Sequence, residues 1–163
     1  MIDGDVNPIL TDTVQAVIRV SYGALMTLTL AAAVPHARRY FMSERWGGYT
    51  ESSRATDRLQ NPVTVPLIVL IWMASTISLV LNVAVVPASL VTLAFCYYFF
   101  NRLRWKSVSR GMGAPGFIAL WLAAAIVLLE VTTRHAASLR PLAVLTLQVD
   151  FAAIMLTAGL YKV

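Results

Sequence analysis

The chain has 163 residues, 58% of them hydrophobic and only 13% charged, with a mean hydropathy of +0.71. Soluble domains run near about 45–50% apolar and about 25% charged, so this balance excludes an ordinary water-soluble enzyme and equally a disordered or fibrous chain. Thirteen Lys and Arg against eight Asp and Glu give a net charge of +5, but the basic residues sit between apolar runs, where membrane topology puts them; no nucleic acid is expected as a partner.

The N-terminal stretch MIDGDVNPILTDT is acidic and polar. It lacks the positive n-region and short apolar h-region of a cleavable signal, so the first span is expected to direct insertion itself. That span is predicted over about 14–34, stopping at Pro35. A polar stretch, His36–Asn61, follows with Arg38, Arg39, Arg45, Arg54 and Arg58. The apolar run from Pro62 to Phe100 is about twice the roughly 20 residues that one spanning helix needs. It divides into spans over about 63–81 and 84–100, with the turn near Asn82 and Pro87 opening the return helix.

A second basic loop carries Arg102, Arg104, Lys106 and Arg110, and a fourth span runs over about 116–131 with Pro115 in its first turn. Arg134, His135 and Arg140 mark a short connection before a last span over about 141–161. The predicted fold is an all-α integral membrane protein, a single membrane domain of about five transmembrane helices. With five spans, both long basic loops and Lys162 share one side and hold ten of the thirteen Lys and Arg, while Arg134 and Arg140 lie on the other. Positive charge collects on the cytoplasmic side. The expected topology is therefore a multi-pass protein of a bacterial-type inner membrane, N-terminus outside and C-terminus cytoplasmic.

Three ionisable side chains fall within or near the hydrocarbon. Asp150 is near the middle of the fifth span, where a carboxylate is costly unless neutral, paired or facing water. It is expected to be buried, either tying the fifth helix to a neighbour by a hydrogen bond or acting directly in chemistry. Arg19 and Glu130 lie at similar depth in the first and fourth spans, which suits a structural ion pair between helices; outward snorkelling of Arg19 is the alternative.

His36 and His135 fall at span ends and Cys96 is alone, so a bis-histidine haem or a metal centre with several nitrogen or sulfur ligands finds no workable spacing. No cofactor is expected to be held by the chain's own ligands, although grooves between the helices suit a bound lipid or quinone. Gly111, Gly113 and Gly116 spell GxGxxG, but a basic loop precedes and a membrane span follows, which is not the strand–turn–helix context of a dinucleotide site. That loop, with Arg104, Lys106, Arg110, Gly111 and Gly113, reads either as a tight turn or as a contact for an anionic lipid head group. The aromatics Tyr97–Phe100 with Trp105, and Tyr40, Phe41, Trp46 and Tyr49, read as interfacial belts. Ala119, Ala123 and Ala31–Ala33 would let helices approach closely.

The last stretch, LQVDFAAIMLTAGLYKV, ends in Ala158, Gly159, Leu160, Tyr161, Lys162 and Val163. Together with RGMGAPGF leading into a helix, it resembles the HTTM membrane domain of the vitamin K-dependent γ-carboxylases and their bacterial relatives. The resemblance covers about the last third of the chain. It implies a membrane enzyme in which Lys162 takes the position of the carboxylase base, with Asp150 assisting.

Three functions are therefore in view. The leading expectation is a non-catalytic accessory or scaffold subunit of a larger, energy-transducing membrane complex, whose partner subunits and anionic lipids hold its polar loops in place. The alternatives are the carboxylase-like enzyme using Lys162, and a small transporter built around Asp150.

Overall fold

The computed structural model describes residues 12–102 and 115–160, with side chains described for 12–99 and 118–156. The apolar runs form α1 (Asp12–Ala33), α4 (Thr64–Leu81), α5 (Val85–Cys96), α6 (Pro115–His135) and α7 (Arg140–Leu160); the polar stretch contributes two short helices, α2 (Ala37–Phe41) and α3 (Arg54–Leu59). No strand occurs among the described residues. Four helices are long and apolar enough to cross a membrane: Asp12–Phe41 (α1 with its continuation), Thr64–Leu81, Ile118–His135 and Ala137–Leu156. The chain is an all-α, multi-pass membrane protein.

The expected span over 84–100 is present in a shorter form, as an apolar helix over Val85–Phe99. At about 1.5 Å per residue its 15 residues reach about 22 Å, short of the roughly 30 Å hydrocarbon core. A π-helical turn, Tyr97–Arg102, lengthens it. The hairpin turns where it was expected: Asn82 takes the left-handed conformation that ends α4 (φ 58°), and Ala84 repeats it (φ 44°) before Val85 opens α5. Asn and Asp enter that region at lower cost because their short polar side chains can hydrogen-bond locally, which Ala cannot do. The fourth helix overruns its expected end near Val131 and continues to His135. The extra turn is held by Arg134 Nε, which donates to Glu130 Oε2 at 3.2 Å one turn back.

The helices α1, α4, α5 and α6 close on one another in a ring, and α7 lies outside it, packed chiefly on α6. Lipid tails are as apolar as leucine, so packing and hydrogen bonds between helices must supply the association. Gly23 lets α1 approach α4 closely: a β-carbon there would sit 2.9 Å from the Thr76 carbonyl oxygen. Thr27 and Thr76 share a hydroxyl hydrogen bond of 2.8 Å between α1 and α4, and Ser75 and Thr92 share one of 2.9 Å between α4 and α5. Tyr22 Oη donates to the Ala119 carbonyl of α6 at 3.0 Å and lies 3.3 Å from Cys96 Sγ of α5. Apolar burial fills the ring between these bonds, through Met26, Leu30, Trp72, Leu79 and Ile126.

The aromatics correct the expected interfacial belts. Phe41 and Phe99 are fully buried, their rings 5.3 Å apart edge to face, and Phe99 stacks on Trp72 at 5.5 Å. Such rings gain more from one another and from burial than from a place among head groups. Trp46, Tyr49 and Tyr97 are exposed.

The polar stretch after α1 is folded on itself by backbone hydrogen bonds. Ser43 N donates to Gln60 O (3.1 Å), Glu44 N to Thr50 O (2.7 Å) and Tyr49 N to Arg39 O (3.0 Å). Gly47 turns the chain at φ 84°, a conformation suited to glycine. Ser53 and Thr56 form a reciprocal cap on α3, and Asn61 Oδ1 accepts the amides of Val63 and Thr64 to start α4. The Ser43 and Ser52 hydroxyls, with Arg45 behind them, hold the Asp57 carboxyl below the usual carboxylate range; Ser52 Oγ donates to both of its oxygens at 2.9 and 2.8 Å.

A carboxyl lowered on folding contributes stability above its unfolded pKa and loses that contribution as pH falls through the folded value. A spin label at position 51 is therefore expected to be immobilised at neutral pH and released only below the ordinary aspartate range of about pH 4. Asp57→Asn should mobilise the label already at pH 7; an unchanged spectrum in that variant would show that the carboxylate does not pin the loop.

Candidate functional site

Charged side chains inside a membrane protein mark either its function or its internal fastening, so the site is built from the ionisable groups upward. Glu130 lies near the end of α6, and its side chain is 2% exposed. Arg19 Nη1 of α1 donates to Glu130 Oε1 at 2.9 Å, and Gln15 Nε2, one turn earlier on α1, donates to the same oxygen at 3.2 Å. Arg134 occupies the other oxygen. Both carboxylate oxygens are therefore engaged by three donors on two helices.

The cluster extends outward from that carboxylate. Gln15 Oε1 accepts from Thr133 Oγ1 at 3.3 Å and from Arg140 Nη2 at 3.2 Å. Arg140, the first residue of α7, also donates to Asp12 Oδ1 at 2.6 Å, at the start of α1. Arg134 Nη2 donates to Asn82 Oδ1 at 3.3 Å, in the α4–α5 turn. One end of each of α1, α6 and α7 and the turn of the hairpin are thus joined through polar side chains. Arg19 and Glu130 pair as their depths suggest; Gln15, Arg134, Asn82 and Arg140 complete the clamp.

Both oxygens of Glu130 are engaged by two guanidinium groups and one amide, while the buried Arg19 Nε finds no hydrogen-bond partner among the described residues. Among the described residues no group of three His, Cys, Asp or Glu could hold a metal ion. Beside the clamp, Ile18, Trp121, Leu122, Ala125, Leu129, Val144, Leu147, Gln148 and Phe151 line an apolar cavity of about 310 Å³ between α1, α6 and α7.

Asp150 corrects an expectation. It lies at mid-helix in α7 but is exposed, because α7 stands outside the ring and packs chiefly on α6 alone. Trp121 Nε1 of α6 donates to Asp150 Oδ2, so the carboxyl ties α7 to its neighbour without being enclosed. The indole also meets Phe151, ring to ring at 5.8 Å. Lys162, Arg104, Lys106, Arg110, Gly111 and Gly113 lie outside the described residues.

The Arg140–Asp12 contact is solvent-exposed on the Asp12 side, 84% against 27% for Arg140, and such pairs contribute about 0–1 kcal/mol. Arg140→Ala should therefore leave global stability nearly unchanged while loosening one end of α7. Hydrogen exchange is expected to speed up over residues 136–143 and to stay constant over 123–129. Unchanged protection at 136–143 would show that Arg140 fastens nothing.

Comparison of the chain with protein-family models, with curated proteins and with solved structures gives no match, so its reading rests on its own residues.

Proposed function

We propose that this protein is a non-catalytic scaffold subunit of a larger membrane assembly. It would sit in a bacterial-type inner membrane with the Asp12–Asn82–Arg140 end outside and the Arg38–Arg58 loop in the cytoplasm, following the asymmetry of its basic residues. Its work would be to present fixed helix faces to neighbouring subunits, with hydrocarbon chains of lipid or quinone filling the cavity beside the clamp.

The observation that carries the reading is the position of α7. Only 6% of its apolar window is buried, against 28%, 33% and 33% for the other three long spans. Leu142, Leu145, Val149, Met155 and Leu156 stand exposed along it together with Asp150. A spanning helix packed on one neighbour and carrying an exposed carboxyl is what an interface looks like before its partner is in place. The inward clamp points the same way, since its ionisable groups are consumed in fastening helices.

The test is isolation of the native protein in mild detergent, followed by measurement of the particle's mass. A particle well above the 17.8 kDa of one chain, after allowance for detergent and containing other polypeptides in fixed ratio, is expected. Recovery of the chain alone as a monomer would contradict the proposal.

A further inference from the structure

Asp150 stands ten residues from each end of α7, or roughly 15 Å along the axis in either direction. It is therefore at the depth where a polar group is costliest. Trp121 satisfies one carboxyl oxygen, and no partner for Oδ1 exists among the described residues. Ionised, the group keeps unfilled acceptor sites; protonated, it keeps a free O–H. Either form facing lipid tails leaves a bond unmade.

None of the described residues supplies the missing bond. Arg19 is engaged by Glu130, and Arg140 by Asp12 and Gln15 at the far end of α7. Thr146, one turn from Asp150, turns its hydroxyl back to the Leu142 carbonyl at 2.8 Å. Leu145, Thr146, Val149, Asp150 and Ala153 line a shallow, open groove along α7. Those positions follow a helical 3–4 spacing, and Ala153 leaves room for close approach one turn beyond the carboxyl.

We propose that this groove receives a transmembrane helix of another polypeptide carrying a Lys or Arg at mid-depth, and that Asp150, aimed by Trp121, is the residue that recognises it. A lipid tail has no donor to offer. A second copy of this chain packed face to face about a two-fold axis would bring carboxyl against carboxyl and so supply no opposite charge. A basic side chain alone supplies both the missing donor and the opposite charge. The inference deepens the scaffold reading and rests on it, but is tested apart from it.

The probes are leucine helices of about 20 residues with Lys, Asn or Leu at the centre, mixed with the full chain in phosphatidylcholine vesicles and followed by energy transfer between labels. The Lys-centred helix is expected to associate about tenfold more strongly than the Leu-centred one, in line with the strength of polar contacts between membrane helices. Asp150→Asn should abolish that preference and Asp150→Glu should keep it, so that a folding defect in one variant does not decide the matter. Equal association of Lys and Leu helices would overturn the proposal, as would an Asn helix binding as well as the Lys helix. Efficient Val149→Cys cross-linking of the chain to itself without any probe would overturn it in favour of a second copy. A native protein that proves monomeric, yet shows the Asp150-dependent preference, would remove the assembly reading and leave this recognition site standing.

Discussion

The carboxylate of Glu130 is the constraint around which this bundle is arranged. Its side chain is 2% exposed, and an ion taken out of water costs several kcal/mol unless geometry and hydrogen bonds repay it. Three donors do so: Arg19 and Gln15 from α1, Arg134 from α6 itself. Because two of them come from α1, the angle and register between α1 and α6 are limited to those that keep the donors in reach. Arg134 and Gln15 then pass the constraint on, one to the α4–α5 turn and the other to the start of α7.

Away from the clamp, the helices hold one another by close packing and by single hydroxyl contacts. Gly23 sets the approach of α1 to α4, and the Thr27–Thr76, Ser75–Thr92 and Tyr22–Ala119 bonds cross three helix boundaries. At the opposite end, Phe41, Trp72 and Phe99 stack into an aromatic core that seats the folded His36–Asn61 loop against α4 and α5. One end is therefore fastened by charge and the other by aromatic surface. Between the ends, α1, α4 and α5 are joined mainly by small residues and hydroxyls, while α6 and α7 meet through Trp121 and Asp150.

Span positions were legible because they depend only on where polar residues interrupt apolar runs, and Asn82 is the single strong interruption between Pro62 and Phe100. Arg19 and Glu130 could be paired because depth along a helix is a simple count of residues. Facing was not legible. α4 and α5 are apolar nearly all round, so no stripe distinguishes the side that meets a neighbour from the side that meets lipid. Likewise Phe99 read as a belt residue and is core, while Asp150 read as buried and is exposed. Gln15, Arg134 and Arg140 gave no signal, since polar residues at helix ends are ordinary; only Glu130, looking for donors at its own depth, could have pointed to Gln15 one turn from Arg19. The internal order of the polar loop was not legible, because composition does not reveal that Gly47, Ser53 and Asn61 stand where a turn and two helix starts need them.

Reversible unfolding in mild detergent, applied to Arg19→Leu, Glu130→Leu and the double variant, tests most directly whether Glu130 organises the bundle. Removing Glu130 alone strands Arg19 at a site where its side chain is only 11% exposed, and a loss of about 3 kcal/mol or more is expected for breaking one side of a buried pair. The double variant should recover part of that loss, because it removes the stranded charge as well. Single losses that simply add in the double variant, or a Glu130→Leu protein as stable as the parent, would contradict the central place given to this carboxylate.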